Sequence, residues 1–196
     1  MKNHMKILVV VDMQKDFIDG ALGTPEAQAI VPKVAQLIKD YADMNTAIIF
    51  TADTHNKYYD KSLEGKYLPI PHCVEGTDGY QFAEAITDAY AEVIDHYRPI
   101  SILNFNFIAN VIKKPSFGSI DLQNVLYEID EDIEPIDEIT FCGLCTGICV
   151  LSNAILAKAT LPEVPINVVA DCCACVTPES HKTALDAMKL CQINII

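Results

Sequence analysis

The sequence predicts an α/β fold: a mostly parallel sheet covered by helices on both sides, a three-layer α/β/α sandwich. Three observations predict it. Short apolar runs rich in β-branched residues recur along the chain, as in KILVVVD (6–12), TAIIFTAD (46–53) and INVVADCC (166–173). They are continuous rather than alternating, which is how strands buried on both faces read. Between them lie segments with helical period, and strands alternating with helices make right-handed βαβ units.

The elements follow in order. Residues 6–12 are the first strand. Residues 25–43 open with Thr24 as N-cap and Pro25 at the first helical position, and place Ile30, Val34, Leu37 and Ile38 on one face. Pro32 predicts a break in this segment, with the helix proper starting near it. Residues 46–53 are the second strand, ending on an Asp. Residues 54–80 lack periodicity and read as a long loop, a length that usually signals function or a missed element. A helix is expected over 80–91, a short strand over 110–114 and a helix over 119–129. The regular pattern then resumes: strand 137–144, helix 147–159, strand 166–173, helix 178–191 and a last strand at 193–196.

A chain of 196 residues suits one domain, here residues 1–196 with the 54–80 loop as its special feature. Its 14 basic against 27 acidic residues give a net charge of -13, which disfavours nucleic acid and anionic membranes. No apolar run has the length of a membrane span, and the N-terminus lacks a cleavage site, so a cytoplasmic protein is expected. In that compartment its eight cysteines are reduced thiols rather than a disulfide framework.

Sites in open α/β sheets form beyond the carboxyl ends of strands. That rule selects Asp12, Asp53, Lys114, the segment after Leu144, and Asp171. In FCGLCTGICV (141–150), Cys149 starts a helix after a strand, where backbone N–H groups favour a thiolate and can hold an oxyanion. Packing of Cys142, Cys145 and Cys149 as small apolar residues is the competing reading. A zinc site joining Cys142 and Cys145 to Cys172, Cys173 and Cys175 is another, and a redox pair a third. Asp12, beside Val11 and Met13, is a candidate base with a raised pKa. Of Lys113 and Lys114, alternation sends one to each face. Asp53, His55 and His72, with Glu64 between, form a carboxylate and imidazole set that suits a catalytic divalent metal. His4, His96 and His181 read as surface or packing residues.

The segments VVVDMQKDF, ADTH…PHCVEGT, IKKPSFGS and GLCTGICVLSNAILAKA, in that order, resemble the isochorismatase-like cysteine hydrolases, with the metal segment most similar to the nicotinamidase (pyrazinamidase) branch. The resemblance runs from about residue 6 to about 190. It implies a six-stranded parallel sheet and an Asp–Lys–Cys triad, matched by Asp12, Lys114 and Cys149. It also implies a cis peptide at Leu144–Cys145 and an oxyanion hole from the N–H groups of Cys145 and Cys149. The metal ligands match Asp53, His55 and His72, with Glu64 as an added carboxylate, and the cofactor is a divalent ion, Zn, Fe or Mn. Phe17 matches an aromatic that packs on the substrate ring. The implied reaction is hydrolysis of a small carboxamide, nicotinamide foremost, through a thioester. Isochorismatase-like and ureido or N-carbamoyl hydrolysis, and a non-catalytic partner-binding role, are the alternatives. Family members are often homo-oligomers. The chain departs from the family pattern at Gly147, where Asp is usual, at Gly118–Ile120 after the lysine, and in having no Trp.

Overall fold

The computed structural model describes residues 5–42, 46–94 and 111–196, so His4 and His96 lie outside it. Six strands form one sheet: β1 (Met5–Val11), β2 (Thr46–Asp53), β3 (Val111–Lys114), β4 (Ile136–Leu144), β5 (Ile166–Ala174) and β6 (Asn194–Ile195). Their order is β3-β2-β1-β4-β5-β6, and every pair is parallel. The helices are α1 (Lys15–Ile18), α2 (Pro25–Asp40), α3 (Leu63–Tyr67), α4 (Glu84–Val93), α5 (Ile120–Glu128), α6 (Leu151–Thr160) and α7 (Pro178–Leu190).

β1 shows why its apolar run is continuous. Ile7, Val9 and Val11 join a core with residues of α5, α6 and α7, while Leu8 and Val10 join a second core with α1, α2 and α4. A side chain every second residue serves each face, so no position is left for a polar one. The sheet therefore has the three layers expected.

α2 runs unbroken through Pro32, against the expected break. Pro32 and Gln28 are both exposed, so the lost helical hydrogen bond falls on the side of α2 that water can reach. Thr24 caps the helix as expected, its Oγ accepting from the Ala27 N–H at 3.0 Å. The 54–80 loop contains a short 3₁₀ turn at Tyr59–Lys61 and α3, and is tied to the body by a bridge between His55 and Val74. Asp171 is not at a strand end. Phe141 of β4 pairs with Val168 and Gly143 with Cys173, so the intervening β5 residues bulge and push Asp171 into solvent opposite Lys33.

Candidate active site

β1 lies between strands that continue in opposite directions across the sheet, which makes its carboxyl end a topological switch point. Asp12 directly follows β1, Asp53 ends β2 and Lys114 ends β3, paired with Asp53 in register. The chain leaving β4 brings Cys149. Lys114 Nζ sits 2.6 Å from Asp12 Oδ2, 3.4 Å from Cys149 Sγ, 3.1 Å from the Ser116 carbonyl and 3.6 Å from Asp53 Oδ1. Thr51 Oγ1 donates to the other Asp12 oxygen at 2.7 Å. Lys113 points the opposite way, to Glu75 at the surface.

These side chains are buried, and burial shifts how each of them titrates. Burial works to lower Lys114, but the charges of Asp12, Cys149 and Asp53 hold it above its ordinary value. Burial raises Asp12 against the pull of Lys114, as expected of a base. Cys149 differs from the expected low-pKa thiolate. Burial and the nearby Asp12 charge push its thiol well up, and Lys114 offsets only part. Desolvation outweighs the helix start because Cys149 is only 6% exposed. Burial thus works against the charged form of both side chains.

The turn that presents Cys149 depends on Gly143. Its φ is +112°, and a Cβ there would lie 2.1 Å from the Val11 carbonyl oxygen. Only glycine lets β4 approach β1 this closely at the site. The Leu144–Cys145 peptide is cis, as the resemblance implied. The Cys145 carbonyl accepts from the N–H groups of Ile148 and Val150, closing a π turn (Thr146–Val150) that runs into α6. Thr146 Oγ1 lies 2.8 Å from His181 Nδ1, so His181 packs on this turn. Gly147 fits closely against α7 and Cys175: a Cβ would meet Cys175 Sγ at 3.3 Å.

Beside Lys114, Asp53, His55, Glu64 and His72 each offer one ligand atom, all within 4.8 Å of one another. His55 Nε2 is buried without a hydrogen bond, although Asp53 Oδ2 is 3.0 Å and Glu64 Oε1 3.6 Å away. His72 Nε2 lies 3.4 and 3.5 Å from the same two oxygens, and its Nδ1 meets the Ile70 carbonyl at 2.9 Å, which fixes the ring. Two imidazoles and two carboxylates around an orphaned nitrogen fit a divalent cation. Burial alone would raise Asp53, yet His55, His72 and Lys114 hold it below the carboxylate range. The supporting groups are Gln14, which bonds both the N–H and the carbonyl of Asp53, and Tyr59, whose ring packs on both histidines. Asp16 accepts from the Cys73 N–H at 2.8 Å and ties α1 to this loop.

One cavity of about 210 Å³ opens on both groups. Asp53, Glu64, His72, Cys145 and Cys149 line its polar end, and Phe17, Leu22, Leu68, Phe117, Ile148 and Val176 are among its apolar walls. Phe17 also packs on His72, ring centroids 5.4 Å apart. Among the described residues, no lysine or arginine lines it.

All the residues selected from the sequence thus meet at one end of the sheet, Asp171 excepted. The zinc reading of the cysteines does not assemble. Cys142 and Cys172 face one core and Cys173 the other, and the only group of potential ligands among the described residues is the Asp53 set. Sequence reading missed Thr51, Gln14, Tyr59 and Asn153. Thr51 and Gln14 carried a usable signal, a polar residue two positions from a strand-end Asp; Tyr59 and Asn153 carried none.

A family model described as isochorismatase domain matches residues 6–196. The crystal structure of pyrazinamidase/nicotinamidase from Streptococcus mutans UA159 is similar at TM-score 0.78 and 28% identity, over 97% of this chain and 99% of that one. That of pyrazinamidase from Pyrococcus horikoshii in complex with zinc is similar at TM-score 0.73 and 27% identity, over 97% and 98%. The nicotinamidase of Saccharomyces cerevisiae is 26% identical over 78% of this chain and 81% of its own.

Proposed function

The chain belongs to the isochorismatase family, and from that premise we propose that it is a cysteine amidohydrolase converting nicotinamide, or a close neutral carboxamide, to the acid and ammonia. One observation carries the reading: the Lys114 ammonium touches Asp12 and Cys149 at one edge and the four-ligand cluster at the other, on a single cavity. The similar proteins named for nicotinamide and pyrazinamide support the substrate class.

Asp12 takes the proton from Cys149 Sγ as the sulfur attacks the amide carbon. The developing oxyanion is met by the N–H groups of Cys145 and Cys149, two residues that line the cavity. Asp12 returns the proton to the departing nitrogen, and ammonia leaves a thioester on Cys149. Water, deprotonated by Asp12, then cleaves the thioester and frees the acid. Lys114 stays charged throughout, balances Asp12 and keeps it in register with the sulfur. Asp53, His55, Glu64 and His72 would hold zinc, iron or manganese, which supplies a Lewis acid for a ring nitrogen or a water. Phe17 packs on the substrate ring. Ureido acids and isochorismate carry carboxylates, whereas among the described residues the cavity is lined by no lysine or arginine, which favours a neutral amide.

The test is ammonia release from nicotinamide by the protein loaded with zinc, iron or manganese. Turnover is expected, and Cys149→Ala is expected to lose at least about 10⁴-fold. Absence of ammonia with every metal refutes the nicotinamide assignment, and full turnover by Cys149→Ala refutes the covalent route.

A further inference from the structure

Asn153 is fully buried inside α6, where an asparagine side chain has poor helical preference and needs partners. It finds three, all backbone. Its Nδ2 donates to the Cys149 carbonyl at 2.8 Å and to the Phe117 carbonyl at 3.1 Å, and its Oδ1 accepts from the Ser119 N–H at 2.9 Å. One side chain therefore ties the nucleophile's own turn to the loop that follows Lys114.

That loop carries two parts of the site. The Ser116 carbonyl accepts from Lys114 Nζ at 3.1 Å, and the Phe117 side chain, 46% exposed, lines the cavity. The loop also lies directly on α6: a Cβ on Gly118 would stand 2.7 Å from Leu156 Cδ1. Phe117 adds a second phenyl ring to a cavity that Phe17 already lines. Ser119, the other end of the tie, caps α5 by accepting from the Leu122 N–H at 3.1 Å.

We propose that Asn153 is a positioning residue that locks the 115–119 loop onto the Cys149 turn, so that Phe117 acts as a specificity determinant for aromatic amides. The proposal rests on the amidase reading for its substrate, but not for its test. Losing the link frees Phe117 to leave the cavity wall, and ring recognition weakens while the sulfur, Asp12 and the metal ligands stay in place.

Two variants separate this from a folding effect. Asn153→Ala removes all three bonds. Asn153→Thr keeps a hydroxyl that can donate to the Cys149 carbonyl four residues back, as threonine does in helices, but cannot reach the loop. The first measurement needs no turnover: Cys149 alkylation, read by peptide mass spectrometry, with an aromatic chloroacetamide and with iodoacetamide. Asn153→Thr and Phe117→Ala are both expected to lower the aromatic-to-small rate ratio about three- to tenfold, and the double variant no further. The second is kinetics on nicotinamide per titrated Cys149, where KM rises more than kcat falls. An unchanged ratio in folded Asn153→Thr, or additive effects in the double variant, overturns the proposal. Should wild type release no ammonia, the amidase reading fails while the ratio still decides the role of Asn153.

Discussion

Lys114 and Asp12 form an ion pair, Nζ to Oδ2 2.6 Å, with neither side chain exposed to solvent. They come from β3 and the end of β1, which are not neighbours; β2 runs between them and ends on Asp53, 3.6 Å from the same ammonium. A single cation thus balances the proposed base and stands against the candidate metal ligands. Two buried carboxylates this close would repel each other without it, and either would be driven to protonate.

Lys114→Met should therefore damage the protein twice. It leaves Asp12 buried without a counter-charge, a loss of about 3–5 kcal/mol in stability. It also raises Asp12 further, so that less of it is ionised and able to accept a proton. Urea unfolding should show the first effect and amide turnover the second. Wild-type stability in Lys114→Met would mean the pair is not buried as described.

His72→Ala probes the cluster. His72 is 2% exposed and supplies one of four converging ligand atoms. The variant should lose at least about tenfold in metal affinity, read as metal per chain after dialysis, and its turnover should fall with its metal content. Chelation of wild type should lower turnover and return it on adding metal back. A variant that keeps one metal per chain would place the ion elsewhere.

Much of this was legible in the sequence, for a physical reason. Asp12, Asp53 and Lys114 stand out because each is a charge abutting a run of buried residues, and the cost of burying a charge makes that rare without purpose. Asp171 looks the same in sequence and fails, because a bulge in β5 turns it to solvent, and register is not written locally. The break assigned to Pro32 fails because which side of α2 faces water depends on tertiary packing. Asn153 was invisible because its three partners lie 4 to 36 residues away and are all backbone, which leaves no side-chain pattern to find.

Gly143→Ala tests the turn. The methyl group would lie 2.1 Å from the Val11 carbonyl oxygen at a φ of +112°, so either β4 moves away from β1 or the backbone leaves that conformation. A loss of about 2–4 kcal/mol is expected, with turnover reduced per folded molecule because Cys149 rides on this segment. Thermal melting and active-site titration give the two numbers. An alanine tolerated in both would show that the close approach is not required.

Alkaline pH should destabilise the fold through its buried thiols. Burial pushes Cys142, Cys149 and Cys173 up, and Cys145 to about 12. An unfolded thiol ionises near pH 8.5. Above that pH the unfolded chain sheds protons that the folded chain keeps, so it binds fewer, and the pH slope of the unfolding free energy is negative. The thiol contribution is complete below about pH 8.5 and fades as pH climbs toward the folded values. Lys114, held above its ordinary value, acts in the same direction once pH passes about 10.4. The urea midpoint under reducing conditions should therefore fall steadily from pH 8 to pH 10, and Cys142→Ala should flatten that fall, because Cys142 lies fully buried in the core with no role in the proposed chemistry. A midpoint that holds or rises across this range would mean that these thiols already ionise in the folded protein.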